Sequence, residues 1–548
     1  MSAVYLDYAA TTPVDERVAA AMAACLTQAG TFGNPGSLSH DFGDAASAAV
    51  EAARGQVAAA VGASMADIVW TSGATEADNL AIFGIANYHR NTGQHLITVR
   101  TEHKAVLDPC RELERRGWRV TYLVPGRGGV LDPAQVKEAL QPDTVLVSVM
   151  HVNNEIGVVQ DIAAIAAICA AHGKARLHVD AAQSVGKWPL DFDALGLDLM
   201  SLSAHKAYGP KGVGALVVSR KRGVHLQALQ FGGGQERNLR SGTVPTHQVV
   251  GMGVAFALAA ALRYEEERRI RRLRDRLWLG IEALGGVLRN GDAARSVAHL
   301  LNVSFEGVEG ESLLAAVRSS IAVSTGSACT SAVQEPSYVL RALGRDERLA
   351  ESSLRFSLGR YSTEAEVDTA VAAVTSAVEY LRRVAGVGGA PRAASATVAT
   401  AAVPAAYSEL TWRHFRAAGR AGELTGTDAC RGSAGTYAQG TWVQFDVRIV
   451  GTAASGDARC QSEGGQEARC QGARGQVAAA AFLAFGCPHV IAVCDWLAQQ
   501  AVGRPAAACL PESVTALQRR FGVPTEKLGR LLIVEDAWIA ALSPPSPG

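Results

Sequence analysis

The sequence predicts an α/β protein with a mostly parallel sheet covered by helices, followed by a smaller α+β subdomain and an appended α+β domain. Between Asp67 and Val218, short β-branched runs alternate with amphipathic helical stretches. Strands that alternate with helices usually pair in parallel, because each helix carries the chain back across the sheet. The predicted strands are Ile68–Trp70, Leu96–Val99, Val120–Val124, Thr144–Val149, Leu177–Val179 and Gly214–Val218.

After Val244 the pattern changes to a helix-rich stretch, Gly251 to Leu284, followed by two strand-like segments, Leu300–Phe305 and Ser353–Ser357. This pattern is typical of a separate α+β subdomain. We therefore expect one unit over residues 1–384, with a large domain at about 15–250. The small subdomain covers about 251–384 and takes in the N-terminal segment.

Residues 385–406 are nearly all Ala, Gly, Val, Thr and Pro, which predicts a linker. Residues 407–548 contain their own helices and a strand pattern at Trp442–Val450, which predicts an appended α+β domain. Within it, Gly451–Gly475 is rich in Gly, Arg, Gln and Ser, and an exposed loop is expected there.

Composition restricts the classes of partner. Lys plus Arg and Asp plus Glu each number 52 in 548 residues, so no net charge attracts nucleic acid or an acidic membrane. No basic segment followed by an apolar run opens the chain, and the longest apolar stretch, Val477–Phe485, is far shorter than a membrane helix. We expect a soluble, cytoplasmic protein with a small substrate and neither nucleic acid nor membrane as partner.

The cysteines are too sparse for a disulfide framework, since there are ten in the whole chain. Cys25, Cys110 and Cys169 lie in helix-like or apolar surroundings, where a free cysteine usually serves as a small core residue. Cys329 differs, because it lies in the small, polar segment Ser324–Ala332. Small neighbours allow an attacking thiolate to be accessible and mobile, although a buried structural role is the alternative.

Two further segments carry chemistry. Lys206 precedes the tight turn Tyr208-Gly209-Pro210, and its amine could form a Schiff base with an aldehyde cofactor, whereas an isolated lysine usually lies on a solvated surface. Ser72–Asn79 follows a short strand and opens a helix. The helix N-terminus, including Ala74 and the Thr75 hydroxyl, would form a phosphate cradle, with Ser203 and His205 as further donors.

Together these motifs resemble the group I cysteine desulfurases of the IscS/NifS type, over residues 1 to about 385. The resemblance implies the pyridoxal 5'-phosphate (PLP) dependent fold type I of class V aminotransferases, with PLP bound on Lys206. It also implies a homodimer, in which Thr243 of Arg240–Thr243 reaches the phosphate in the neighbouring subunit.

The same resemblance assigns further residues of the site. Asp180 would pair with the pyridine nitrogen and Gln183 with the phenolic oxygen of the cofactor. His103, which without the resemblance would be interpreted as structural, would stack on the ring and shuttle protons. Asn154 and Arg355 would hold the substrate carboxylate.

The implied reaction converts L-cysteine to L-alanine and leaves a persulfide on Cys329. The sulfur would pass to an acceptor protein such as an iron–sulfur scaffold, for cluster assembly or thiolation. Two alternatives on the same fold are a selenocysteine lyase and an aminotransferase. An alternative from another class is an assembly scaffold whose functional end is the C-terminal domain.

Three C-terminal segments, Tyr407–Leu410, Ala484–Ala492 and Leu532–Ala540, resemble parts of the IscU/NifU-type iron–sulfur scaffolds. Of the positions that match that family's ligands, Cys487 alone is a cysteine; Gln439, Thr441 and Arg530 stand at the others.

One thiolate cannot hold a cluster, so we expect a degenerate scaffold without metal. Its expected uses are docking, dimer contacts, or sulfur acceptance at Cys487. The rival interpretation is that Cys430, Cys460 or Cys470 supplies the missing ligands, although their spacing matches no standard motif.

Overall fold

A computed structural model describes residues 3–325, 336–387, 403–426, 428–451, 475–506 and 510–542. The strands of the N-terminal unit are β1 (Val4–Tyr5), β2 (Ile68–Thr71), β3 (His95–Val99), β4 (Arg119–Leu123), β5 (Thr144–Ser148), β6 (Arg176–Asp180), β7 (Leu199–Ser203), β8 (Gly214–Val218), β9 (Val287–Asn290), β10 (Leu300–Phe305), β11 (Ile321–Ala322) and β12 (Ser353–Ser357). Its helices are α1 (Glu16–Ala23), α2 (Asp41–Val61), α3 (Ala74–His89), α4 (Lys104–Arg115), α5 (Pro133–Ala139), α6 (Ile162–His172), α7 (Thr246–Glu282), α8 (Gly310–Val317), α9 (Tyr338–Ala342), α10 (Glu347–Glu351) and α11 (Glu364–Val384).

The large domain is built on a sheet with the strand order β2-β8-β7-β6-β5-β3-β4. Neighbouring strands from β4 to β7 run parallel, while β8 is antiparallel to both of its neighbours. The prediction of a mostly parallel sheet is therefore confirmed. The sequence prediction missed β7, because Leu-Met-Ser-Leu-Ser contains no β-branched or aromatic residue although every position in it is buried.

Helices cover both faces of this sheet, as predicted. On one face, α2, α6 and α7 pack against Val147, Met200 and neighbouring residues. On the other face, α3 and α4 pack against Leu146, Leu199 and their neighbours. Consecutive residues of a strand point to opposite faces of the sheet. Because helices cover both faces, the residues on both are mostly apolar, and these strands appear in the sequence as continuous apolar runs.

The small subdomain contains an antiparallel sheet in the order β12-β10-β9. The N-terminal strand β1 pairs in parallel with β11, so the start of the chain joins this subdomain. Helix α11 begins with a capping box, in which the Thr363 hydroxyl accepts from the Glu366 amide and the Glu366 carboxylate accepts from the Thr363 amide. This reciprocal pair satisfies two amides that the helix itself leaves without partners.

The C-terminal residues form a second α+β unit. Its elements are α12 (Glu409–Ala417), β13 (Ala429–Thr436), β14 (Thr441–Val450), β15 (Gln476–Phe485), α13 (Pro488–Ala501), α14 (Val514–Phe521) and α15 (Leu528–Leu542). The three strands form an antiparallel sheet in chain order, and Trp538 of α15 packs edge-on against Phe445 of β14 at 5.1 Å. The expected loop at 451–475 falls largely on residues outside the described ranges, and so does most of the linker.

The C-terminal unit packs directly on the small subdomain. Buried apolar residues of α11, including Tyr380 and Leu381, belong to one continuous core with Phe415 of α12. Polar contacts surround this core: Lys527 donates to both carboxylate oxygens of Glu311 at 2.6 and 2.8 Å, and the Ser312 hydroxyl donates to the Gly486 carbonyl at 2.8 Å. The two units are thus joined by a packed interface as well as by the linker.

Across the described ranges, no helix combines the length and the apolar character that a transmembrane span requires.

We expect Lys527→Met to lower the free energy of unfolding by about 1.5–3 kcal/mol, because it leaves the half-buried Glu311 carboxylate without its charged donor. Denaturant unfolding of the full chain measures the change. The matched control is Arg520→Met, which breaks a more exposed ion pair with Glu512 and should destabilise the chain less. Equal effects of the two substitutions would contradict a stabilising interface contact.

Candidate functional site

The site is organised by the directions of the strands. Because β3, β5, β6 and β7 run parallel, their carboxyl ends meet at one edge of the sheet. His103, Asn154 and Lys206 follow β3, β5 and β7, and Asp180 is the last residue of β6. In open α/β sheets, ligands bind in the crevice at this edge. The fold therefore brings together four residues that the sequence had placed in one site.

Lys206 lies at the end of a short 3-10 helix, Ala204–Lys206, directly after β7. The turn that follows is held by Thr12, whose hydroxyl donates to the His205 carbonyl at 2.9 Å and accepts from the Tyr208 amide at 2.8 Å. Tyr208 has a positive φ of 63°, a left-handed conformation that is uncommon for a bulky residue. These contacts fix the backbone on both sides of the lysine.

His103 is the N-cap residue of α4. Its Nδ1 accepts a hydrogen bond from the Ala105 amide at 3.1 Å, so the proton of the neutral ring is on Nε2. Burial, followed by the charge of Lys206, lowers the pKa of His103. The imidazole is therefore neutral at neutral pH, and its Nε2–H can donate a hydrogen bond to a ligand.

Asp180, at the carboxyl end of β6, is buried, and its carboxylate accepts from the Ala182 amide at 2.9 Å. Gln183 is used within the chain at both ends of its amide, because it donates to the Ala9 carbonyl at 2.8 Å and accepts from Lys187 at 2.9 Å. The second hydrogen of its amide nitrogen remains available for the predicted contact with a cofactor oxygen. Burial, followed by the charge of Lys206, lowers the pKa of Lys187 to about 7.

The predicted phosphate cradle has donors that the chain does not use. Helix α3 begins after Gly73 without a side-chain cap, and Thr75 in its first turn is exposed. The Ser203 hydroxyl is buried and has no hydrogen-bond partner. His205 Nδ1 is 3.2 Å from the Thr11 hydroxyl, and burial lowers its pKa to about 4. A buried hydroxyl without a hydrogen-bond partner lowers the stability of the fold. A ligand oxygen that accepts a hydrogen bond from it would remove this cost.

Arg355 and Asn154 are brought together across two hundred residues of sequence. The Arg355 guanidinium donates to the Asn154 carbonyl at 2.9 Å and to the Asp7 carboxylate at 2.8 Å. The carboxamide oxygen of Asn154 is buried without a partner, and so is Nε of Arg355. Asp7, which no sequence motif indicated, thus orients the predicted carboxylate-binding arginine.

Cys329 lies outside the described residues, but the residues on both sides are described. Before it, Ser324 pairs with Arg355 through two backbone hydrogen bonds. After it, the Ser337 hydroxyl donates to Glu155, the neighbour of Asn154. The Tyr338 hydroxyl donates to the Glu102 carbonyl, next to His103, at 2.8 Å. Both flanks of the cysteine segment are therefore attached to the segments that carry predicted site residues.

Thr243 is exposed. The segment that precedes it is held by ion pairs to other parts of the same chain. The Glu236 carboxylate accepts hydrogen bonds from both terminal nitrogens of the buried Arg54, each at 2.9 Å. Further along the segment, Arg240 donates to Glu76 in the first turn of α3 at 2.9 Å.

The predicted scaffold-ligand positions do not form a metal site in the structure. Cys487 is fully buried at the N-terminus of α13, beside Arg530, and burial raises the pKa of its thiol. Gln439 is exposed, and Thr441 is buried. Cys430 is exposed on β13, whereas Cys460 and Cys470 lie outside the described residues. Among the residues that are described, no three His, Cys, Asp or Glu side chains are grouped to hold a metal ion.

Comparisons with known proteins identify the family of the N-terminal unit. The profile of the family "Aminotransferase class-V" matches residues 4–370. The chain belongs to the class V aminotransferase family. Over 379 residues, which are 69% of this chain and 93% of the relative, it is 58% identical to the protein named "Cysteine desulfurase IscS" of Pectobacterium atrosepticum. A protein of the same name from Escherichia coli is 57% identical over the same length.

Solved structures of this family are similar as well. A "NifS-like protein" matches with a TM-score of 0.65 and 34% identity, over 69% of this chain and all of that chain. The structure titled "SspA in complex with cysteine" matches with a TM-score of 0.58 and 38% identity, over 66% of this chain and 99% of that one. These matches cover the N-terminal unit, and the likeness of the C-terminal domain to the IscU-type scaffolds is not among them.

The residues present fit the cofactor of class V aminotransferases, PLP. Its aldehyde requires an amine, which Lys206 supplies, and its ring nitrogen requires a buried carboxylate, which Asp180 supplies. Its phosphate requires unused donors at a helix N-terminus, which α3 and the Ser203 hydroxyl supply.

Sequence reasoning missed three residues that contact predicted site residues: Asp7, Thr12 and Lys187. Asp7 accepts from Arg355, Thr12 donates to the His205 carbonyl, and Lys187 donates to Gln183. A buried carboxyl or amine beside a motif residue was the available signal, but its burial depends on the fold.

We expect Ser203→Ala to weaken the binding of PLP to the apoprotein about tenfold, because a hydroxyl donor to a charged phosphate is lost. Titration of the apoprotein with PLP, followed by absorbance, measures the dissociation constant. Ser319→Ala removes another unpartnered hydroxyl, in the small subdomain, and should leave the constant unchanged. An unchanged constant in Ser203→Ala would remove this residue from the cradle.

Proposed function

We infer that this chain is a PLP-dependent cysteine desulfurase, which converts L-cysteine to L-alanine and transfers the sulfur atom to a thiol of the enzyme. The observation that carries this inference is the meeting of Lys206, Asp180, His103 and the Arg355–Asn154 pair at one edge of the sheet. The two relatives named "Cysteine desulfurase IscS", at 57–58% identity, support cysteine as the substrate.

PLP would be held covalently by Lys206, at its ring by Asp180 and His103, and at its phosphate by the first turn of α3 with Ser203 and His205. When bound, it supplies an electron sink for the bonds at the α-carbon of an amino acid. Asp180 is buried and accepts an amide hydrogen bond, so it can keep a fixed negative charge for the ring nitrogen.

Substrate binding and proton transfer follow from the geometry of this chain. The Arg355 guanidinium is already oriented by Asp7 and the Asn154 carbonyl, and its buried Nε is unpaired, so a carboxylate can bind with little reorganisation. Neutral His103 has one ring nitrogen bonded to the Ala105 amide and presents the other to the site. That nitrogen, Nε2, carries the ring proton in this arrangement, so for His103 to take a proton from the α-carbon region the bond to Ala105 would open and the ring proton would lie on Nδ1.

We propose that Cys329 receives the sulfur. The carbon–sulfur bond of cysteine breaks as a sulfur–sulfur bond to Cys329 forms, so that cysteine and one thiol give alanine and one persulfide. The attachments of the flanking residues to Arg355 and Glu155 support a position of this segment near the substrate carboxylate. The persulfide sulfur would then pass to an acceptor protein, such as an iron–sulfur scaffold, or to a thiolation enzyme.

A homodimer is proposed for this enzyme. On the single chain, Phe32, Leu38, Phe42 and Phe231 are 48–80% exposed, which is unusual for large apolar side chains on a monomer. Thr243 is exposed on the segment that follows Phe231 and could reach a neighbouring cofactor. Light scattering tests this proposal, since a monomeric mass for the holoenzyme would contradict it.

We propose that the C-terminal domain is a degenerate relative of the iron–sulfur scaffolds, used for docking on the small subdomain. Its packing on α11 and the Lys527–Glu311 contact support this role. The full burial of Cys487 disfavours sulfur acceptance there in this arrangement, because an acceptor thiol must be reachable. Iron and sulfide analysis of the anaerobically purified chain tests the proposal, and a stoichiometric cluster would refute it.

Lys206→Ala should lower the rate of alanine formation from cysteine by several orders of magnitude, because the covalent attachment and the amine are both lost. After borohydride reduction, mass spectrometry should find no cofactor on the peptide that contains residue 206. Lys211→Ala, at an exposed lysine of the same segment, serves as the control and should keep both. Normal turnover in Lys206→Ala would refute the assignment of the pocket.

Cys329→Ser should still bind cysteine but should release no alanine and form no persulfide, because a hydroxyl is a poor nucleophile toward sulfur. Alanine release and persulfide alkylation, mapped by mass spectrometry, measure the effect. Cys430→Ser, at an exposed cysteine, is the control. Alanine formation that persists in Cys329→Ser would favour a lyase or aminotransferase, and a persulfide mapped to Cys487 would move the nucleophile.

A further inference from the structure

Asp78 is a buried carboxyl that the mechanism above does not use. It lies in the second turn of α3, on the face that packs against the sheet, and is 1% exposed. Neither of its carboxyl oxygens has a hydrogen bond of good geometry, although the Ser201 hydroxyl is near enough to lower its pKa. An ionised carboxylate without partners would be very costly at such a position, so its protonation state has to be explained.

His178 lies beside Asp78, with its Nε2 3.5 Å from the carboxyl. His178 is two residues before Asp180 on β6, so both side chains point to the same face of the sheet. The imidazole is fully buried and contacts the Ser148 hydroxyl at 2.8 Å and the Ser201 hydroxyl at 2.9 Å. Burial lowers the pKa of His178 to about 4, so this ring is neutral and forms no ion pair with Asp78.

The two aspartates cannot both be charged at little cost. Burial, and then the charge of Asp180, raise the pKa of Asp78 well above its ordinary value. The other charged groups that act on this region are Lys206, after β7, and Glu102, after β3, whose pKa burial also raises. Asp180 accepts an amide hydrogen bond and lies within the electrostatic reach of His103, whereas Asp78 lies beside the neutral His178 and the Ser201 hydroxyl. The negative charge therefore belongs on Asp180.

We propose that Asp78 is a buried proton holder: it stays protonated in the resting enzyme and so leaves Asp180 as the single negative charge available to the ring nitrogen of the cofactor. It is a positioning residue, because it acts through His178 and Asp180 and not on the reacting atoms. This proposal rests on the proposed function for the role of Asp180, but not for the protonation of Asp78.

The first test is infrared difference spectroscopy of the full-length holoenzyme and of Asp78→Asn, a variant of the same shape that cannot ionise. At neutral pH, the wild-type minus variant spectrum should contain the carbonyl band of a protonated carboxylic acid, and this band should shift in D₂O. Carboxylate bands in its place would overturn the proposal. The absorbance maximum of the bound cofactor should be the same in Asp78→Asn as in the wild type, and a shift as large as that of Asp180→Asn would also overturn it.

The second test measures the coupling between the two carboxyls and does not depend on the folding of Asp78→Asn. In Asp180→Asn, the neighbouring charge is gone, so the acid band of Asp78 should disappear at a pH lower by about one unit, a tenfold change in acidity. An unchanged midpoint would overturn the proposed coupling. If Asp180→Asn leaves the cofactor absorbance unchanged, the role of Asp180 fails, and with it the purpose assigned to Asp78.

Discussion

The alignment of strand ends at one edge of the large sheet is the constraint on which the rest of this structure depends. Parallel strands place every carboxyl end on the same side, and a helix N-terminus also opens there after β2. Residues that are far apart in sequence, such as Lys206 and His103, become neighbours as a result. The small subdomain then closes the site from the other side, because Arg355 of β12 reaches the Asn154 carbonyl.

Burial at this edge decides which groups carry charge. Desolvation disfavours ionisation of acids and of bases alike, so the site contains neutral His103, a neutral Asp78 and a Lys187 that titrates near neutrality. Charges persist where hydrogen bonds or opposite charges compensate them, as with Arg355 beside Asp7. Burial and its compensation thus determine, before any ligand is bound, which ionisable groups keep a fixed charge and which can carry a proton.

The patterns in the sequence were enough to predict strands β3, β5 and β6 beside the site and to indicate candidate residues for it, because these depend on local spacing. Lys206 before its turn and Thr75 at its helix N-terminus are examples. The contact of Asp7 with Arg355 spans 348 residues, and that of Asp78 with His178 spans a helix and a strand. No local pattern encodes such pairs. Strand β7 was missed because it contains no β-branched or aromatic residue, and the pairing of its Ser201 with His178 depends on the neighbouring strand.

The continuous core between α11 and the C-terminal domain has a consequence for how the chain loses its structure. Tyr380 packs edge-on against Phe415, and no solvent layer separates the two units at this point. Elements that share a core tend to open and close as one cooperative unit. A substitution inside the C-terminal core, far from any reacting atom, would then lower the amount of enzyme that survives in a cell. The appended domain would thereby set the abundance of an activity to which it contributes no reacting group.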